Sequence, residues 1–176
     1  ALWEQLNALV PTRGLTEALP GAAMVIHARW PEAHPSWEDD AVEAFERVIR
    51  RYSSANPSRA LEAHGRIADI YLEGGGRNAE ENAYEWYARS LEFFEELNAE
   101  SRAMLTAPAL DVAAKAQFMM GEQVFREFEA VEMAGSEEEV QEGMAQKIEI
   151  GRQATDLYVG VIDYGRPGWA IAAFTR

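Results

Sequence analysis

Apolar residues recur along the chain at the three- and four-residue spacing of an amphipathic helix, and no stretch shows sustained alternation of β-branched and polar residues. Ala, Glu, Arg and Leu dominate the same stretches, and all four favour helices. The pattern therefore predicts an all-α fold. The predicted helices are Leu2–Val10, Pro20–Trp30, Trp37–Ser53, Ser58–Glu73, Ala79–Ser101, Ala109–Met133, Glu137–Asp163 and one that begins near Gly168.

Short polar signals mark where several of these helices begin and end. Ser36 and Ser136 each have an acidic residue three positions on, as in a capping box, so each is predicted to start a helix. The glycines at 74–76 and the prolines at 31, 35, 57, 108 and 167 interrupt the remaining helical patterns.

One pattern at helix starts occurs four times. Pro20, Pro57 and Pro167 are each followed by Ala, an apolar residue and Arg at intervals of three. After Pro108, with two extra residues, Ala113 and Ala116 occupy the same places.

A second pattern lies between these starts, an Ala followed four residues later by an aromatic residue. It occurs at Ala41/Phe45, Ala83/Tyr87 and Ala154/Tyr158, in strict alternation with the first pattern. A small residue lets two helices approach closely, and pairs built this way must stack to bury their outer apolar faces. The alternation predicts one domain with units at 20–54, 57–102 and 108–165 and a half-unit at 167–176. An ordinary helical bundle remains the alternative.

At these positions the chain resembles the tetratricopeptide-repeat (TPR) family. The places of the family's first helix are taken by His64, Ile67-Ala68 and Tyr71, and those of its second helix by the Ala-aromatic pattern. The resemblance implies a right-handed α-α superhelix. The units here are elongated and degenerate, because their starts lie farther apart than the roughly 34 residues of a standard repeat.

The resemblance also implies a partner-binding groove lined by the first helix of each unit. Its predicted residues are Glu62, Arg66, Asp69 and Glu73 in the second unit, and Lys115, Met119, Glu122 and, with core as an equal alternative, Phe125 in the third. The closing segment 165–176 is similar to segments of large TPR proteins of bacterial gliding machinery and cell envelopes. We therefore expect a bacterial periplasmic or envelope location, with the cytoplasm as the alternative. We also expect this segment to belong to a longer array with neighbouring repeats.

The charge of the chain narrows the class of partner. A formal net charge of −14 disfavours nucleic acid, which requires clustered Lys and Arg. Several predicted helix faces are acidic, and one carries Glu80, Glu81 and Glu85. Such a face either is simply solvated or attracts a basic protein or peptide electrostatically. No apolar run is long enough to insert in a membrane. The absence of cysteine excludes disulfides and thiolate chemistry.

No motif in the sequence indicates catalysis. The three histidines, His27, His34 and His64, are not spaced as metal ligands, and 74–76 lacks the Lys-Ser/Thr of a phosphate-binding loop. Mainly packing roles are predicted for two of the histidines, His27 and His64, and for the tryptophans Trp30, Trp37, Trp86 and Trp169. We predict a non-catalytic scaffold for protein binding, with no cofactor or metal. The open alternatives are a bundle enzyme or ligand carrier with a pocket between helices, and an architectural spacer.

Overall fold

The computed structural model describes residues 35–75 and 77–176, and every regular element within them is helical. The all-α prediction is confirmed. The predicted helices Leu2–Val10 and Pro20–Trp30, with His27, His34 and Trp30, lie outside the described residues. The helices are α1 (Pro35–Tyr52), α2 (Pro57–Gly74), α3 (Ala79–Glu96), α4 (Ala99–Ala103), α5 (Ala107–Ala130), α6 (Glu137–Gly160), a 3₁₀ helix (Val161–Tyr164) and α7 (Pro167–Phe174).

Local capping fixes several of the helix starts. The Ser136 hydroxyl accepts a hydrogen bond from the Glu139 amide at 3.3 Å, and the Glu139 carboxylate accepts one from the Ser136 amide at 2.6 Å. The predicted capping box is therefore confirmed there. At the other predicted box the helix begins at Pro35, one residue before Ser36, because the fixed φ of proline suits a first helical position.

The long helix predicted over Ala79–Ser101 is wrong at its C-terminal end. The structure ends α3 at Glu96, and Leu97 is extended. The Asn98 side chain then accepts a hydrogen bond from the Ser101 amide at 2.8 Å and starts α4. Asparagine is among the strongest N-capping residues, and here it overrides the apolar periodicity. The predicted helix over Glu137–Asp163 likewise ends its α-helical part at Gly160 and continues as the 3₁₀ helix.

Hydrogen bonds between helices give their relative directions. Near the start of α2 the Ser58 hydroxyl accepts a hydrogen bond from the Thr106 amide, just before α5. Farther along α2, Asp69 accepts one from Lys115, which lies farther along α5. Arg166 and Arg176, at the two ends of α7, bond to Asp111 and Glu122 of α5 in the same order. The first helices α2, α5 and α7 therefore run parallel, side by side. In the two pairs that are described, the second helix runs antiparallel to its first helix. His64 and Asp69 of α2 adjoin Phe93 and Tyr87 of α3, and Gly121 and Phe128 of α5 adjoin Tyr158 and Gly151 of α6.

The core is distributed along this row of helices in three clusters. One joins α1, α2 and α3 around Phe45, Ile67 and Tyr87, and another joins α5, α6 and α7 around Tyr158 and Val161. The third lies between the C-terminal end of α3 and the start of α5. At Gly65 α2 and α5 approach closely, since a Cβ atom there would lie 2.5 Å from Val112 Cγ1.

Candidate functional site

The residues predicted to line a groove lie on the first helices α2 and α5. We call this predicted set of residues the first-helix face, and it consists of Glu62, Arg66, Asp69, Glu73, Lys115, Met119 and Glu122. Two carboxylates organise this face, Asp69 on α2 and Glu122 on α5.

Asp69 binds one residue from each neighbouring helix. Its Oδ1 accepts hydrogen bonds from the Tyr87 hydroxyl at 2.9 Å and from Lys115 Nζ at 2.6 Å. Tyr87 belongs to the second helix α3 of the same unit and is fully buried, whereas Lys115 belongs to the first helix α5 of the next unit. Arg66 lies at the edge, 3.7 Å from the other Asp69 oxygen. We call Asp69, Tyr87 and Lys115 the first carboxylate cluster.

Glu122 has the same kinds of partner one unit later. Its Oε1 accepts a hydrogen bond from the Tyr158 hydroxyl of the second helix α6 at 2.8 Å. Arg176, immediately after α7, donates from Nε and Nη2 to the two Glu122 oxygens at 2.6 and 2.5 Å. We call Glu122, Tyr158 and Arg176 the second carboxylate cluster.

The carboxylates and tyrosines of the two clusters occupy matching places in the internal repeat, whereas the cations do not, because Lys115 aligns with Glu62 and Arg176 with Arg66. Asp69 directly follows Ala68, and Glu122 directly follows Gly121, which is the residue aligned with Ala68. Tyr87 and Tyr158 are the aromatic positions of the second-helix pattern. In both units a carboxylate therefore joins its own second helix to a cation of the next first helix.

Burial keeps both tyrosines as hydrogen-bond donors. It raises the pKa of Tyr87, and the adjacent Asp69 carboxylate raises it further. Burial and the hydrogen bond to Glu122 raise the pKa of Tyr158 in the same way. Neither hydroxyl ionises near neutral pH, so the chemistry of these clusters is that of fixed polar contacts between helices.

The other predicted groove residues differ in how far they are available to a partner. Glu62 is half-buried and accepts a hydrogen bond from the Thr106 hydroxyl at 3.1 Å. Glu73 is exposed near the end of α2. Met119 packs against the first core cluster, and Phe125 packs against the cluster of α5, α6 and α7. The alternative that Phe125 is a core residue is therefore supported by its packing.

His64 is a packing residue, as predicted. Its ring lies 5.2 Å from that of Phe93 and 5.7 Å from that of Trp86, both on α3, and its Nδ1 lies 2.8 Å from the Ala60 carbonyl oxygen. Burial lowers the pKa of His64, so the ring is neutral at neutral pH. Trp169 likewise packs, with its ring 5.7 Å from that of Phe118.

An acidic cleft of about 550 Å³ lies where α5 turns into α6. Apolar side chains, including Val131 and Ile150, line it together with the four carboxylates Glu127, Glu132, Glu139 and Glu142. The Glu139 carboxylate is engaged in the capping box, whose hydrogen bonds lower its pKa. The carboxylates create a negative electrostatic potential at the turn between α5 and α6, and this potential would attract basic groups.

The described residues contain no group of three or more His, Asp or Glu side chains arranged to hold a metal ion. In the same part of the chain, every buried side-chain nitrogen and oxygen has a hydrogen-bond partner. None of the described helices combines the length and apolar character required to cross a membrane.

No protein-family profile, curated protein or solved structure matches the chain.

Sequence reasoning placed Asp69, Lys115 and Glu122 on one face but missed their partners. Tyr87 and Tyr158 were assigned to packing alone, although the acid that follows the small residue of each first helix was a signal for the hydroxyl contact. The contact between Lys115 and Asp69 was also missed. Lys115 aligns with Glu62 in the repeat, yet it meets Asp69, about two helical turns farther along α2.

Proposed function

We propose that this chain is a non-catalytic scaffold of the TPR type that binds a basic protein or peptide on its first-helix face. The observation that carries the proposal is the repeated carboxylate cluster. Each of two units of different length uses an acid and a tyrosine at matching repeat positions and a cation from the following first helix, so that the cluster fastens each unit to the next.

The arrangement of the first helices supports a binding role. Parallel α2, α5 and α7 place charged side chains side by side along the stack, as an extended partner would require. Arg66 and Glu73 flank the first carboxylate cluster, and Arg66 remains 43% exposed. The net charge of −14 favours a partner of opposite sign. A place in a bacterial envelope or gliding assembly is part of this proposal through the sequence resemblance alone.

The proposal is tested by changing the first-helix face without changing net charge. The Arg66→Glu/Glu73→Arg double variant reverses both signs at positions outside the core. We expect it to lose basic partners that the native chain retains in affinity purification from the source cell. The retained partners should elute as ionic strength rises, because salt screens exposed charges over about 10 Å at 0.1 M and about 3 Å at 1 M.

A matched control is available on α1. Glu43 and Arg47 form an exposed pair at 2.6 Å, and the Glu43→Arg/Arg47→Glu variant exchanges the same charges there. The proposal requires partners that the native chain and this control capture but the first-helix variant does not. Partner sets that are identical for all three proteins would contradict it and would favour an architectural spacer.

A further inference from the structure

Among residues 35–75 and 77–176, none covers the apolar face of the last helix. Ile171 and Phe174 on α7 are 65% and 75% exposed, and Val159 and Ile162, on α6 and the 3₁₀ helix, are also exposed. Between these elements lies a groove of about 200 Å³, with Val159, Ile162 and Phe174 among its walls. We call Val159, Ile162, Ile171 and Phe174 the terminal groove. Exposed apolar side chains that adjoin one another in this way mark interaction surfaces.

The internal repeat shows what covers this face in other units. Ile171 and Phe174 align with Leu61 and His64 of α2, which are 0% and 7% exposed. His64 is covered by Trp86 and Phe93 of the second helix α3. Leu61 lies in a cluster with Phe93, Phe94 and Leu97, at the end of the same helix, together with residues of α5.

The third unit repeats this coverage. Ala114 and Gln117 of α5 occupy the places of Ile171 and Phe174. Ala114 is fully buried in a cluster with Ala154 and Tyr158 of α6. Gln117 donates a hydrogen bond to the Leu157 carbonyl oxygen of α6 at 3.1 Å. In both complete units, then, a second helix covers the face that α7 leaves open.

We infer that the terminal groove is a docking site for an amphipathic helix of the second-helix type, with Ala followed four residues later by an aromatic residue and with further aromatics toward its C-terminal end. The occupant is a helix supplied by another segment of protein, rather than a lipid surface or a second copy of this chain. This inference goes beyond the proposed function, since it concerns a different surface and an apolar contact.

The probe for this site is present in the chain itself. A fluorescently labelled peptide of residues 79–97 has the sequence of α3, the helix that covers Leu61 and His64. A hydrocarbon staple on its solvent side would hold it helical, because most of the stability of a helix in a protein comes from tertiary packing, which the free peptide lacks. We expect saturable binding to the native chain in fluorescence anisotropy, and at least tenfold weaker binding to the Phe174→Asp variant.

Two controls make the result specific. Ile148→Asp changes a side chain that is 68% exposed on α6 outside the groove lining and should leave the affinity unchanged. A peptide with Ala83→Glu and Tyr87→Ser should not bind the native chain, because both changed positions carry the second-helix pattern. Circular dichroism of each chain variant checks that the fold is retained.

Three results would overturn the inference. The first is that the stapled peptide does not bind the native chain. The second is that Phe174→Asp and Ile148→Asp weaken peptide binding equally. The third is that the native chain sediments as a dimer and that Phe174→Asp dissociates this dimer. The last would assign the groove to a second copy. The Arg66→Glu/Glu73→Arg variant should bind the peptide normally, so the outcome here does not depend on that of the first-helix face.

Discussion

Replacing Asp69 with alanine is expected to lower the free energy of unfolding by about 2–3 kcal/mol. The change removes the acceptor of the buried Tyr87 hydroxyl and the anion beside Lys115. A fully buried ion pair broken in this way costs more, but Asp69 and Lys115 are 22% and 28% exposed, so solvent reduces the effect. Urea denaturation with global fitting measures it.

A double-mutant cycle separates this contact from a general effect of the substitution. Tyr87→Phe removes the hydroxyl that Asp69 accepts, so its cost should largely disappear once Asp69 is already alanine. Glu43→Ala, which breaks an exposed pair on α1, should change stability by no more than about 0.5 kcal/mol. Additive effects of Asp69→Ala and Tyr87→Phe would show that the first carboxylate cluster does not hold α2 against α3.

Replacing Gly121 with valine is expected to cost about 3 kcal/mol. A Cβ atom at this position would lie 2.7 Å from Tyr158 Cε1 and 2.9 Å from Cδ1. The ring cannot move aside freely, because its hydroxyl is bonded to Glu122 and its face adjoins Phe118. The substitution should therefore separate α5 from α6 and loosen the second carboxylate cluster. Thermal and urea unfolding both measure the loss.

The same substitution at Gly168 is the matched control. A Cβ atom there would meet nothing within 4 Å, so Gly168→Val should change stability by no more than about 0.5 kcal/mol. In addition, Tyr158→Ala should cost less when combined with Gly121→Val than it does alone, since the valine already displaces the ring that Tyr158→Ala removes. Equal losses from the two glycine substitutions would contradict the close approach at Tyr158.

Apolar periodicity was enough to predict the helical class and most helix positions, because each helix buries one face against its neighbours. The break after Glu96 was not predicted, since it depends on Asn98 capping a new helix within a pattern that otherwise continues. The capping box at Ser136 was predicted correctly because both of its hydrogen bonds are local in sequence.

The carboxylate clusters show where local reasoning ends. The repeat pattern predicted that Asp69 and Glu122 lie on one face. Their cationic partners, Lys115 and Arg176, belong to the next part of the chain, and which cation meets which acid depends on how far neighbouring helices are shifted along their axes. A pattern within one helix does not determine that shift. Among so many acids, the sequence did not single out the two that accept hydrogen bonds from tyrosines. The sequence predicted a half-unit at 167–176, and the exposure of Ile171 beside that of Leu61 identifies the side chains of α7 that the described residues leave uncovered.

Both proposed surfaces depend on parallel first helices, and one measurement tests that arrangement directly. The chain has no cysteine, so pairs can be introduced without background. In the Ser58→Cys/Thr106→Cys variant the two positions adjoin each other, because the Ser58 hydroxyl accepts a hydrogen bond from the Thr106 amide at 3.0 Å. The crossed Ser58→Cys/Met119→Cys pair would meet only if α2 and α5 ran antiparallel, since each position lies about two helical turns, roughly 10 Å, from the contact of Gly65 with Val112. Under mild oxidation, mass spectrometry should find an intramolecular disulfide in the first variant and free thiols in the second. A disulfide that forms as readily in the crossed pair, or only there, would contradict the parallel stack.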